Sequence, residues 1–253
     1  MAGTIQAGTL ISSNSRSIDV DDIGVRSYAG GGGAFNYRNK IVDGRFDFWY
    51  EGTTQTTSGY GSDTMWFNAN VGSTKVHSRQ TLAIGVDLPS IEVPSATYFS
   101  RTVVTSVAGA SNYCNKWARV EDVRTLAGKT VTISFYAKAD AVKNVGVTMQ
   151  QMFGTGGSAN VDGIGAQLVS LSTAWKRYSV TATIPSVSGK TIGTGSMLGV
   201  CFAFDVGSTL SPSFANQIQQ SGTFDIACVQ LEEGTVATPF EELPIEVSQM
   251  RLS

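Results

Sequence analysis

In Thr130-Val131-Thr132-Ile133-Ser134-Phe135-Tyr136-Ala137-Lys138, the side chains of Val131, Ile133, Phe135 and Ala137 point one way, and those of Thr130, Thr132, Ser134 and Lys138 point the other. A period of two places neighbours on opposite faces of an extended chain, so this run reads as a half-buried antiparallel strand. The pattern recurs at Val145, Val147 and Met149, at Tyr178, Val180, Ala182 and Ile184, and at Leu198, Val200, Phe202, Phe204 and Val206. Phe46, Phe48 and Tyr50 read the same way within Arg45-Phe46-Asp47-Phe48-Trp49-Tyr50. Burying each large apolar side chain contributes roughly 1.5–3 kcal/mol, so five or six such faces require a shared core and two packed sheets. Leu126-Ala127-Gly128-Lys129, Phe153-Gly154-Thr155-Gly156-Gly157 and Ser186-Val187-Ser188-Gly189-Lys190 are the turns between the runs. With no sustained helical stripe and with connections long enough for Greek-key crossings, the expected fold is all-β: a two-sheet antiparallel jelly-roll sandwich over residues 39–253.

The composition agrees. A chain of 253 residues suits one large all-β domain. Only 15% of it is charged, and serine and threonine together outnumber Asp, Glu, Lys and Arg. A formal charge of −2 offers no basic field for a phosphate backbone, which argues against nucleic acid as a partner. No apolar run approaches the roughly 18 residues of a membrane helix, and no membrane partner is expected. The opening Met1-Ala2-Gly3-Thr4-Ile5-Gln6 carries no secretion signal, so synthesis in the cytoplasm is expected.

Catalytic chemistry finds little to stand on. Cys114, Cys201 and Cys228 lack metal-binding spacing and read as buried small hydrophobes. His77 is the single imidazole, which excludes a histidine-ligated zinc site, and it reads as an exposed loop or strand residue. Gly128-Lys129-Thr130 and Gly189-Lys190-Thr191 resemble phosphate loops, but the required earlier glycine is Val123 or Ile184, so both read as turns. The adjacent acids Glu232-Glu233 and Glu241-Glu242 would point to opposite strand faces and do not form a glycosidase pair. No enzymatic activity and no cofactor are expected. Among the aromatics, Trp49, Trp117 and Tyr98 read chiefly as core or interface, and Tyr60, Trp66 and Trp175 are the candidates for stacking on sugar rings.

Residues 1–38 differ from the rest. A Ser-rich run, an acidic Asp19-Val20-Asp21-Asp22 and the four glycines Gly30, Gly31, Gly32 and Gly33 read as an extended arm ending in a hinge, because consecutive glycines lose much backbone entropy on ordering. Ile5, Leu10, Ile11, Ile18 and Val20 are the apolar residues the arm would lay on a partner.

Three segments resemble a known family: Asn39-Lys40-Ile41-Val42-Asp43-Gly44-Arg45-Phe46-Asp47-Phe48-Trp49 with Gly59-Tyr60-Gly61-Ser62-Asp63; Glu121 to Ala139 with Trp175-Lys176-Arg177-Tyr178; and Val229-Gln230-Leu231-Glu232-Glu233-Gly234-Thr235-Val236-Ala237-Thr238-Pro239-Phe240-Glu241. Together, over about 39–243, they resemble the carbohydrate-binding-module-like jelly roll of tailed-bacteriophage structural proteins, found in tail fibres and head decorations. The resemblance implies a sandwich whose first and last strands lie close together, mounted on a virion by an N-terminal extension and assembled as a homotrimer. Related sugar-binding modules hold a structural calcium with acids just before the Gln-Leu-Glu segment. Here that place reads Ile226-Ala227-Cys228-Val229, leaving Asp225 and Asp47 as oxygen donors.

The expected function is a capsid decoration or cement protein, located on the virion and bound through the arm to the major capsid protein or other virion proteins. The alternative is a short tail fibre or receptor-binding protein that recognises host surface glycan.

Overall fold

The structure is a computed structural model that describes residues 9–11, 17–19, 37–87 and 90–252. By its contacts the chain divides into Met1–Tyr37 and Arg38–Ser253. In the first unit β1 (Thr9–Ile11) and β2 (Ser17–Asp19) pair antiparallel, with Leu10 opposite Ile18. Leu10, Ile11 and Ile18 lie in this short paired ribbon, whose ladder satisfies backbone groups of the segment expected to be the arm. Ile5, Val20, Gly30, Gly31, Gly32 and Gly33 lie outside the described residues.

The second unit is built on two antiparallel sheets. Its strands are β3 (Thr54–Gln55), β4 (Trp66–Val71), β5 (Thr74–Thr81), β6 (Tyr98–Thr105), β7 (Tyr113–Glu121), β8 (Thr130–Ala139), β9 (Lys143–Met152), β10 (Val161–Leu171), β11 (Lys176–Thr183), β12 (Met197–Val206) and β13 (Gly222–Glu233). One sheet runs β10-β9-β12-β7-β4 and the other β11-β8-β13-β6-β5-β3. From β6 to β13 the chain changes sheet at every connection except β9 to β10, the interleaving of a jelly-roll sandwich. A six-residue helix, α1 (Ile245–Met250), follows the last strand, and no helix among the described residues is long and apolar enough to cross a membrane.

The core lies between the sheets and is made by the alternation read from sequence: Val131, Ile133, Phe135 and Ala137 from β8 meet Val145, Val147 and Met149 from β9 and Val200, Phe202 and Phe204 from β12. β13 contributes Phe224 and Ile226 and then Val229 and Leu231, a change of parity. It is accommodated at a bulge, where the register with β8 shifts between Ala227 and Gln230 and Cys228 adopts φ +49°.

Residues 45–50 are not a strand. The Asp43 carboxylate accepts the Asp47 N–H at 2.8 Å and the Phe48 N–H at 3.4 Å, and the Phe46 N–H donates to the Asp43 carbonyl at 3.1 Å. Such local capture of backbone donors turns the chain and withholds it from a ladder. Phe46 and Phe48 are still buried, while Tyr50 is exposed.

His77 is also placed differently from expectation. It lies on the inner side of β5, fully buried, with Nδ1 2.7 Å from Thr102 Oγ1. The expectation of exposure rests on polar neighbours, but β5 alternates with Lys75 and His77 inside and Val76 outside.

Candidate functional site

The outer faces of the two sheets differ. On the six-stranded sheet, residues from the β5–β6 connection and the C-terminal segment form a roof: Leu82, Ile91, Val93 and Ala96 pack with Phe99, Tyr136, Trp175 and Phe240 over Ala227 and Cys228. The roof covers part of that face, and Val76 and Val103 remain exposed toward its β5 side. The five-stranded sheet keeps a groove of about 330 Å³ on its outer face, edged by the 3-10 turn Ser211–Phe214.

Strand parity builds this groove. In β7 the even positions Cys114, Lys116, Ala118 and Val120 face inward, so Tyr113, Asn115, Trp117 and Arg119 face out. Phe67 and Ala69 do the same from β4, and Thr148, Gln150 and Met152 from β9. The strand between β7 and β9 is β12, whose outward positions Gly199, Cys201 and Ala203 are small and register with Arg119, Trp117 and Asn115. Small residues in the middle and larger ones on either side make a trough. A Cβ at Gly199 would lie 2.6 Å from Met152 Cε and 2.9 Å from Trp117 Cε3, so the side chains on both walls depend on glycine there.

Trp117 meets Phe214 edge to face at 6.2 Å, and its Nε1 donates to Asn115 Oδ1 at 2.9 Å. Arg119 lies over the Phe67 ring at 3.8 Å and donates from Nη1 to Tyr60 Oη at 3.3 Å; Tyr60 meets Phe67 edge-on at 5.3 Å. Gln150 donates from Nε2 to the Asp162 carboxylate at the β10 side. Half-buried aromatic rings interleaved with amides and charged groups suit a ligand with apolar faces and a hydroxyl rim.

The inner side of the same strand holds β7 in place. The Lys116 ammonium, fully buried, pairs with the Asp63 carboxylate and lies 5.4 Å from the centre of the Trp66 ring. Asp63 also accepts from Asn68 Nδ2 at 2.6 Å. Burial pushes the Lys116 ammonium well below the usual lysine range, and burial pushes the Cys114 thiol up to about 12, which makes it an inert packing group.

Of the three sugar-stacking candidates, Tyr60 alone is exposed, at 54%, where it buttresses Arg119 beside the groove. Trp66 is fully buried, stacked on Phe46 at 4.8 Å with Nε1 donating to the Asp43 carbonyl at 3.1 Å. Trp175 is roof core: it meets Phe99 edge-on at 5.2 Å and donates to Asp87 Oδ1 at 2.7 Å. Neither indole can stack on a sugar from solvent. The groove residues Phe67, Tyr113, Arg119, Gln150, Asp162 and Phe214 carry no sequence signal that marks them as a site, and Trp117 reads from sequence as core.

The two carboxylates considered for calcium are engaged elsewhere. Asp225 takes a bidentate pair from Arg101 at 2.7 and 2.8 Å, and Asp47 pairs with Arg45 at 2.6 Å. Gly128 (φ +75°) and Gly189 (φ +74°) sit in turns, so neither Gly-Lys-Thr segment precedes a helix.

Residues 107–194 match the model of a carbohydrate binding domain family, a span that includes β7, β9 and β10 and therefore most of the groove's side chains. No curated protein matches the chain. Among solved structures it is similar to a CBM4 structure, at 16% identity over 77% of this chain and 99% of that one, with a TM-score of 0.42. It is also similar to the family 11 carbohydrate-binding module of the cellulosomal cellulase Lic26A-Cel5E of Clostridium thermocellum, at 11% identity over 72% and 95%, with a TM-score of 0.43. A third similarity is to the enzymatically active domain of tailspike protein 4 of bacteriophage CBA120, at 11% identity over 78% of this chain and 22% of that one, with a TM-score of 0.42.

Proposed function

We propose that the Arg38–Ser253 body is a glycan-binding module that takes a polysaccharide chain in the groove across the five-stranded sheet. The observation that carries this reading is the convergence of Trp117, Phe67, Tyr113 and Phe214 with Asn115, Gln150 and Asp162 in one groove on the outer face of the five-stranded sheet. Rings supply area for the C–H faces of sugars, and amide and carboxylate groups supply partners for hydroxyls. The family match over 107–194 supports the same class of ligand.

The groove favours recognition of surface glycan over capsid decoration, the order opposite to that expected from sequence. In this reading the body is the receptor-facing part of a tailed-phage structural protein carried on the virion. The segment 1–38 is its mounting, and trimerisation raises weak single-site affinity by avidity. The role is binding without bond cleavage, supported by Asp162 being the one carboxylate among the described residues that line the groove, where glycoside hydrolysis requires two.

Affinity electrophoresis of the whole chain through gels containing bacterial capsular and lipopolysaccharide glycans tests the reading. At least one glycan is expected to retard the protein, and Trp117→Ala, which also loses packing on Cys201, Ala203 and Val206, is expected to abolish retardation in a protein that still unfolds cooperatively at a lowered midpoint. Unchanged retardation of that variant would overturn the site.

A further inference from the structure

Among the described residues some cations sit on carboxylates, while others are held by rings or carbonyls, as Arg79 is over the Tyr98 ring and Lys75 on the Thr57 carbonyl. Arg45, Arg101 and Arg124 each sit on a carboxylate, and Lys116 has Asp63. Arg119, on the groove wall, has no carboxylate within ion-pair distance among the described residues. Its guanidinium carbon lies 3.8 Å from the Phe67 ring centre and 5.3 Å from that of Tyr60, one amino group donates to the Tyr60 hydroxyl, and Nε is buried with no acceptor among the described residues. A guanidinium fixed in orientation and partly stripped of water, yet left without an anion, is poised for planar, bidentate recognition of a carboxylate. The groove's own acid, Asp162, does not fill that role. It stands on β10, three strand spacings or about 14 Å across the sheet from β7, and is engaged by Gln150. The groove is therefore polarised, cationic at the β7 wall and anionic at the β10 wall.

Resting on the reading of the groove as a glycan site, we infer that its ligand is an acidic polysaccharide whose uronate carboxylate is bound by Arg119, with the neighbouring sugar ring carried by Trp117. Asp162, at the far wall, excludes a second carboxylate from that end and accepts hydroxyl hydrogens instead. Specificity then follows charge spacing along the chain: an acidic residue alternating with neutral ones fits better than a continuous polyanion.

The test uses the full chain in affinity gels containing alginate, polygalacturonate or hyaluronate, each run beside its carboxyl-reduced, neutral form of the same linkage. At least one native polymer is expected to retard the protein ten-fold more strongly than its reduced form. Raising the salt from 50 to 500 mM is expected to weaken that retardation, and Arg119→Gln to erase the preference. Because Arg119→Gln could disturb packing on Phe67, the reduced polymers and the salt series on the unaltered protein decide the question without a variant. Equal retardation by native and reduced forms, salt-independent retardation, or none by any acidic polymer would overturn the inference. The groove itself would stand if neutral glycans still bind in a Trp117-dependent way, and would fall with the inference if nothing that binds depends on Trp117.

Discussion

Asn39 and Leu231 are joined at the place where the body of the protein begins and its last strand ends: Asn39 Oδ1 accepts the Leu231 N–H at 3.0 Å. The same oxygen accepts the Ile41 N–H at 3.0 Å, the amide nitrogen donates to the Val229 carbonyl at 3.1 Å, and the Lys40 N–H donates to the Leu231 carbonyl at 2.8 Å. One buried amide thus substitutes for a missing strand neighbour beside the β13 bulge. Gly44 completes the contact, since its carbonyl accepts the Val229 N–H and a Cβ at that position would collide with the Val229 carbonyl oxygen.

Replacing Asn39 by Ala strips partners from buried backbone groups at both ends of the body. Each orphaned group costs about 1–3 kcal/mol. Asn39→Ala is therefore expected to lower unfolding stability by about 2–4 kcal/mol in urea titration. Asn39→Asp keeps the acceptor but loses the donation to Val229 and is expected to be intermediate or worse. A loss below about 1 kcal/mol for Asn39→Ala would show that the two ends are held by other contacts.

His77 sets a pH dependence. Burial, and then the nearby Lys75, push its imidazole well below the usual histidine range, so the folded state holds it neutral. In the unfolded chain it titrates near 6.5. Between those values the unfolded state binds a proton that the folded state refuses, so stability rises with pH through that window. The contribution is complete above about pH 6.5 and is lost at up to about 1.4 kcal/mol per pH unit below it. In His77→Gln the slope of unfolding free energy against pH between 5 and 6.5 should be smaller by up to one proton. Equal slopes in the two proteins would mean that His77 gains its proton without unfolding.

Where the core side of a strand is wholly apolar, sequence shows it: Val131, Ile133, Phe135 and Ala137, and Val200, Phe202 and Phe204, lie where alternation places them. The groove is hidden for a physical reason. Its main strand, β7, carries a buried lysine on its inner face, so Cys114, Lys116, Ala118 and Val120 do not read as an apolar stripe, and nothing in residue type separates them from the outward set of Tyr113, Asn115, Trp117 and Arg119. Trp66 and Phe67 show how much one step of parity decides. The turn at Met65, φ +69°, delivers Trp66 to the core and Phe67 to the groove, and a turn's exit direction is not written in residue type. The strand-like run at 45–50 fails because Asp43 captures backbone donors that its apolar alternation would commit to a ladder. The small outward residues Gly199, Cys201 and Ala203 are the one available signal, since a central strand with large side chains inward and small ones outward leaves room on its outer face.

Filling that room gives a further expectation. Gly199→Ala places a methyl group against the tip of Met152, which can swing away, and against the Trp117 ring, which has Phe214 on another side. Stability should fall by about 1–3 kcal/mol, while glycan retardation falls at least five-fold as the indole tilts. Full binding by this variant would show that the indole's position in the trough is not what the ligand reads.

The buried pair beneath the groove can be taken apart in steps. Lys116→Met leaves the Asp63 carboxylate buried without its cation, and Asp63→Asn leaves the Lys116 ammonium without its anion. Either single change should cost about 3–5 kcal/mol, since an uncompensated buried charge is the expensive state. The double variant removes both charges and keeps the volumes close, so its loss should fall short of the sum of the two by about 1–3 kcal/mol. Part of the single-variant cost is not electrostatic. Asp63 also accepts from Asn68 on β4, so Asp63→Asn must rotate its amide to keep that bond, and the double variant should remain somewhat less stable than the original protein. Because Lys116 lies between Asn115 and Trp117 on β7, the single variants should also weaken glycan binding, and the double variant should regain much of it. Strict additivity in a double-mutant cycle read by urea unfolding would show that the two charges do not sense each other, and that β7 is held by its apolar contacts alone.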